Sequence, residues 1–230
     1  MGDRHTITHA NDMYHGNVFY GAYSPDGRRG VKLSHLVYVS LGAPITSDTD
    51  GLLDGATVAT DSVWTYTASD LITSVLDVPR NLIIDSTDAT ASDAVVTITG
   101  ADVYGATMVE QLTMAGTTAA NGKKAFKTLT SVSVGLSTYA ATIDIGWGNV
   151  FGLPFRIDSK RYVRDTRQDN TAEVWTVVVA DTDQDATAGD NRGTIVPTAT
   201  PNAVLEFSCL VVMPNLHDKA EAFGADQYAG

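Results

Sequence analysis

AVVTITGADVYGATMVEQLTM, residues 94–114, is the stretch on which the fold turns. Val96 and Ile98 alternate with Thr97 and Thr99, the period of two that sends successive side chains to opposite faces of a strand. Gly100 to Gly105 supplies turn residues, and Thr107 to Met114 returns in strand-forming types, so the segment predicts a β-hairpin. On the returning strand Glu110 shares its side with Met108, Leu112 and Met114. A carboxylate on an apolar face is costly unless paired. Two arrangements satisfy it. Either a bulge or exposed edge shifts its register, or Lys123, Lys124 or another base reaches it, within the subunit or across an interface.

Working outward, the same signals recur at regular spacing. Val31 to Leu41 (VKLSHLVYVSL), Val58 to Thr67, Arg80 to Asp85, Lys124 to Val134, Tyr139 to Ile145, Leu153 to Ile157, Ala172 to Ala180 and Ala203 to Met213 all read as strands. Asn121-Gly122 ahead of Lys124 is a second hairpin signal. Ser69 to Leu76 and Asp218 to Phe223 are the only modest helix candidates. Composition agrees: 23 Asp against 4 Glu, with 29 Thr and 24 Val, favours short strands and Asp/Gly/Thr turns over helices. The expectation is an all-β chain, a β-sandwich or barrel-like subunit. Residues 31–230 read as one β-rich domain, with a sub-boundary near 147–154 that lacks the linker independent domains need.

Residues 1–30 differ from the rest. They hold three of the five His, the turn Ser24-Pro25-Asp26-Gly27 and the aromatics Tyr14, Phe19, Tyr20 and Tyr23, with no sustained period. Two readings fit this composition: a frayed tail, or an extended N-terminal arm docked on another surface such as a neighbouring subunit. No apolar run approaches the roughly 18 residues of a membrane span, and the opening MGDRHTITHANDM has no apolar core of a signal peptide.

Charge narrows the partners. With 15 Lys+Arg against 27 Asp+Glu the net charge is −12. Nucleic-acid binding draws on basic groups that neutralise phosphates, so the expectation is no nucleic acid and no membrane partner. Lys160, Arg161, Arg164 and Arg167 form the one dense basic cluster, read either as a solvated face or as a contact for an acidic partner surface.

Motifs for chemistry are weak. Gly146-Trp147-Gly148-Asn149-Val150-Phe151-Gly152 has glycines of a phosphate loop, yet Leu153-Pro154-Phe155 is no helix start; a bulge or tight strand crossing is the better reading. Asp181, Asp183 and Asp185 open like a calcium loop but lack its Gly at the sixth position and Glu at the twelfth. His5, His9, His15 and Asp12 lack a helix to align them. There is no G-x-S-x-G or H-E-x-x-H motif. Cys209, sharing a face with Leu205, Phe207, Val211 and Met213, reads as a small core hydrophobe. No enzyme, no cofactor and no metal are expected. A carbohydrate-binding module stacking sugars on Trp64, Trp147, Trp175 and Tyr residues is one rival reading.

Asp77 to Asn81 (DVPRN), Val96 to Gly105 (VTITGADVYG), Glu110 to Thr113 (EQLT), Gly122 to Lys127 (GKKAFK) and Gly146 to Leu153 (GWGNVFGL) occur in succession over about a third of the chain. In that order the chain resembles virion structural proteins of tailed bacteriophages, and most of all a capsid decoration (cement) protein of short-tailed phages. The resemblance implies a homotrimer on the capsid exterior, partnered by the major capsid protein, clamping the shell against DNA pressure. It also implies synthesis in the host bacterial cytoplasm, with which the absence of cysteine pairs agrees. It carries no catalytic residues. Tail-tube, head-completion and fibre proteins are the neighbouring alternatives. On this reading Tyr14, Phe19, Tyr20, Tyr23, Lys160, Arg161, Arg164 and Arg167 are the candidate interface.

Overall fold

A computed structural model describes residues 34–90, 94–135, 140–157, 159–180 and 192–214. All strand pairings among them are antiparallel, and the one helical element is a 3-10 turn, Lys160–Tyr162. The elements are β1 (Ser34–Gly42), β2 (Asp48–Val58), β3 (Trp64–Thr67), β4 (Val75–Ser86), β5 (Val95–Ala101), β6 (Thr107–Thr113), β7 (Ala120–Asn121), β8 (Phe126–Val134), β9 (Ala141–Gly152), β10 (Val163–Gln168), β11 (Thr171–Ala172), β12 (Thr176–Val178), β13 (Thr194–Val196) and β14 (Phe207–Pro214).

Ten strands build one curled sheet whose main path is β12-β13-β9-β4-β8-β5-β6. It branches because its long strands share an edge between two partners. The first half of β9 pairs with β2 and its last residues with β13, while β4 runs along its other side. β8 likewise takes β3 at one end and β4 at the other, opposite β5. This curling wraps a half-barrel around a core that includes Leu52, Leu82, Ile84, Val96, Ile98, Met108, Phe126, Val132, Ile143 and Ile145. Alternation in β5 and β6 matches the sequence reading: Val96, Ile98, Met108 and Leu112 are buried and their neighbours are not. β4 breaks the pattern, being buried continuously from Arg80 to Ile84, as a central strand covered on both faces must be.

A second, four-stranded sheet, β1-β14-β10-β11, lays one face over the far end of β9. Phe151, Leu153, Ile157, Val163, Trp175, Ile195, Phe207, Cys209 and Val211 form this second core, with the Phe207 ring 6.4 Å from Phe151 and 5.8 Å from Trp175. β9 therefore serves both cores, its first half the half-barrel and its end the second sheet.

Several expectations need correction. Asp48–Val58 is an eleven-residue strand whose Gly- and Asp-rich sequence hid it. Ser69 to Leu76 forms turns that run into β4 rather than a helix. Leu153 to Ile157 is not a strand, although its ends are core residues. The strand expected over Ala172 to Ala180 is broken into β11 and β12. The Asn121-Gly122 hairpin does not form: β7 pairs with β4, and Gly122 donates its N–H to the Leu82 carbonyl at 2.8 Å. The hairpin of residues 94–114 does form, in unbroken register from Val95↔Thr113 to Ala101↔Thr107. The proposed arm, the acidic stretch Asp181 to Asp190 and the candidate helix from Asp218 lie outside the described residues.

Candidate interaction surface

Three buried cations tie this β structure together: Arg80 and Lys124 sit in the sequence motifs quoted above, and the partner of the third, Asp102, sits in another of them. Arg80 is fully buried on β4. Its Nε donates to the Gly148 carbonyl at 2.8 Å, Nη1 to Asp77 Oδ1 at 3.0 Å, and Nη2 to the Ile45 carbonyl at 3.1 Å and Asn149 Oδ1 at 3.4 Å. Its guanidinium lies 5.1 Å from the Phe151 ring centre and 6.0 Å from that of Trp147. Burial pulls its pKa below the ordinary value, and Asp77 pushes it back. The next residue, Asn81, donates to the Gly122 carbonyl at 2.9 Å and accepts the Val150 N–H at 3.0 Å. The planar fork of arginine reads several carbonyls at once, which lysine cannot do.

At Glu110 the bulge and exposed-edge arrangement is excluded, and the two lysines named from the sequence meet the carboxylate through their backbone N–H groups. The β5–β6 register has no bulge, so its carboxylate points inward and is fully buried. Oε1 accepts the backbone N–H groups of Lys123 at 2.7 Å and Lys124 at 3.2 Å. Lys124, itself buried, donates its Nζ to the Val109 carbonyl at 2.7 Å. The third cation is Arg192, whose Nε bonds Asp102 Oδ2; both are 3% exposed. Asp102 Oδ1 also accepts the N–H groups of Tyr104 and Ala106, fixing the β5–β6 turn. These contacts hold together the Asp77–Asn81, Gly122–Lys124 and Gly146–Gly152 segments, so their role here is internal bracing. The glycines agree: a Cβ at Gly146 would collide with the Asp48 carbonyl, and one at Gly148 with the Asn81 side chain. That is the tight strand crossing expected, and no phosphate cradle.

The outward-facing chemistry lies on the four-stranded sheet. Register places Tyr38, Leu210 and Arg164 side by side across β1, β14 and β10, and Ser40, Ser208 and Arg167 in the next row. Two residues of β10, Asp165 and Thr166, lie opposite one of β14, Cys209, so a bulge lies between Arg164 and Arg167, and Asp165 has φ of 45°. In a regular strand residues three apart face opposite ways. The extra residue turns both arginines to one face. Opposite them, Phe207, Cys209 and Val211 of β14 and Val39 of β1 point into the second core.

Tyr38 is 63% exposed, Leu210 and Val212 are half-buried, and Arg164 is exposed. Arg167 pairs with Asp165 at 2.9 Å, and that hydrogen bond is the main cause of its raised pKa. Lys160 and Arg161, exposed on the 3-10 turn, lead directly into β10. Among the described residues Lys160, Arg161 and Arg164 have no ion-pair partner. The candidate residues Tyr14, Phe19, Tyr20 and Tyr23 lie outside the described residues. Tyr38 and Leu210 were not singled out from sequence; their alternation with Val39 and Cys209 was the signal.

Two of the three tryptophans proposed as sugar platforms are in the cores. Trp147 is 8% exposed, with Nε1 on the Thr46 carbonyl at 2.9 Å, and Trp175 is 6% exposed, with Nε1 on Glu173 at 3.1 Å. Trp64 alone is exposed. Among the described residues no group of three or more His, Cys, Asp or Glu is placed to hold a metal, and no helix is long and apolar enough to cross a membrane.

Cys209 is 1% exposed, and burial raises its thiol pKa to about 12. Only the thiolate is a good nucleophile. In the folded protein the thiol should therefore resist thiol reagents at neutral pH and react only on unfolding; rapid native labelling would contradict this placement. A thiol pKa raised above its ordinary 9.0 keeps its stabilising contribution below pH 9 and loses it as pH climbs toward 12.

No protein-family model, curated protein or solved structure matches the chain.

Proposed function

We propose that this protein is a head decoration (cement) protein of a tailed phage, binding the outside of the assembled capsid and clamping adjacent major capsid subunits, with self-association as a trimer. The observation that carries the reading is the outer face of the four-stranded sheet. There an aromatic and aliphatic centre, Tyr38, Leu210 and Val212, is flanked by Arg164 and Arg167 on a chain of net charge −12. An apolar centre beside Arg164, which has no ion-pair partner among the described residues, and Arg167, which is held by Asp165, suits docking on an acidic protein surface. The bracing by Arg80, Glu110 and Arg192 supports it further, because a clamp must hold its shape under load. Such a clamp acts by mass action: binding only the intact shell stabilises each site by RT ln(1 + [L]/Kd), about 4 kcal/mol at roughly a thousandfold excess over Kd. Repeated over a lattice, that term resists bursting.

On this reading residues 1–30, with Tyr14, Phe19, Tyr20 and Tyr23, supply the arm, and Lys160 to Arg167 supply the charged contact. Deleting residues 2–30 is expected to abolish capsid occupancy while the purified chain keeps its β circular-dichroism spectrum. Full occupancy after the deletion would refute the arm's role. Copy number per purified particle tests the function itself. On the order of hundreds of copies supports decoration of a symmetric shell; tens or fewer places the chain in a tail or fibre instead.

A further inference from the structure

We propose that the outer face of the four-stranded sheet is the seat of this chain's own residues 215–230. The inference stands apart from the decoration reading, to which it adds a competitor for the same face. Three observations carry it: charge, reach and the point of departure.

The charges are complementary. Residues 215–230 (NLHDKAEAFGADQYAG) carry Asp218, Glu221 and Asp226 against Lys219, and they bring the aromatics Phe223 and Tyr228. The face presents the reverse pattern in Arg164 beside the apolar Tyr38, Leu210 and Val212, with Lys160 and Arg161 on the turn just before β10, while Arg167 is already paired with Asp165. The segment leaves from the right place. It follows Pro214, the end of β14, which is the strand that carries Leu210 and Val212. Leu210 lies about 13 Å back along that strand at ~3.3 Å per residue. The sixteen residues reach it extended, at up to about 50 Å, or as a helix of about 24 Å.

Two other occupants fit less well. Residues 1–33 enter the same sheet at Ser34, opposite Pro214, but hold four basic and three acidic side chains and so lack the acidic excess. A second copy stacked face to face would set one arginine row against another, a like-charge contact.

The test uses the full-length chain with Ser40→Cys and Ala222→Cys and a short bis-maleimide, leaving Tyr38, Phe223 and Tyr228 intact. Ser40 is exposed in the row of Arg167, and Cys209 is too buried to interfere. The control pairs Ala222→Cys with Val63→Cys, a position 61% exposed on the other sheet's side of the chain. Cross-linking within one chain should run about tenfold faster at position 40 than at 63, because a seated segment has a high effective concentration. About 0.5 M salt or the added Arg164→Glu should cut that excess severalfold. Equal rates at the two positions, product only between two chains, or an excess indifferent to both salt and Arg164→Glu would overturn the proposal.

Discussion

Arg80→Met should lower the unfolding free energy by about 1–3 kcal/mol, the cost of leaving a buried hydrogen-bond partner, here the Gly148 carbonyl, unsatisfied. Arg80 is fully buried, while the side chain of its partner Asp77 is 25% exposed. Its loss leaves the carboxylate of Asp77 and the carbonyls of Ile45 and Gly148 without their guanidinium donors. The carbonyl of Gly148 lies in β9, so the damage falls where the half-barrel core and the second core meet. Arg80→Lys separates charge from shape. It keeps a cation near Asp77 but cannot serve three directions at once, so its stability should fall between wild type and Arg80→Met. Urea unfolding monitored by tryptophan fluorescence reads this directly, since Trp147 lies beside the guanidinium. A loss below about 1 kcal/mol, the scale of a surface pair, would show that the buried network is not what holds β4 and β9 in place.

The second large effect is expected at Asp102. Asp102→Leu takes from the buried Arg192 guanidinium its carboxylate partner, and the expected cost is about 3–5 kcal/mol. Removing both charges in Asp102→Leu/Arg192→Leu should restore part of that loss, because a buried pair often breaks even against apolar residues of similar volume. Restoration should be incomplete. The Asp102 carboxylate also accepts the N–H groups of Tyr104 and Ala106, and both variants lose that turn. Asp102→Asn keeps an acceptor for the turn while removing the charge, so it should fall between wild type and Asp102→Leu. Thermal unfolding of the wild type, Asp102→Leu, Arg192→Leu and the double variant closes the cycle, and strict additivity of the two leucine substitutions would rule out the coupling.

Both predictions concern residues that the sequence left unassigned or placed in a resemblance. Arg80 sits in Asp77-Val78-Pro79-Arg80-Asn81, and its partner Asp77 is near in the chain, but Gly148 is 68 residues away. Asp102 and Arg192 are 90 residues apart. No local pattern encodes such a pairing, because it depends on which strands become neighbours. Glu110 was closer to legible. Its place among Met108, Leu112 and Met114 already required a partner, and Lys123 and Lys124 were named; only the use of their backbone N–H groups had to come from the structure.

The candidate surface divides the same way. A basic cluster from Lys160 to Arg167 can be counted in the sequence, yet its alternation puts Arg164 and Arg167 on opposite faces. The bulge at Asp165 reverses that, and Tyr38 joins them only through the β1–β14 pairing. The strands from Asp48 and across Ala172 to Ala180 show the limit in the other direction: there β propensity was overruled by neighbours that supplied, or failed to supply, a pairing edge.

By itself the sequence determined the class of structure: alternating Val, Ile and Thr, punctuated by Asp and Gly, make strands and hairpins, and a lone cysteine among apolar neighbours goes inside. These are local consequences, set by side-chain period and turn chemistry within a few residues. Only the tertiary structure decided that the sheet curls into a half-barrel, that β9 serves two cores, and that buried Arg80 and Arg192 brace them. It also decided that Arg164, Arg167 and Tyr38 face the same way. The reason is physical: strand partnership, register and bulges are chosen by the burial of the whole chain, and a shift of one residue sends every side chain of a strand to the other face.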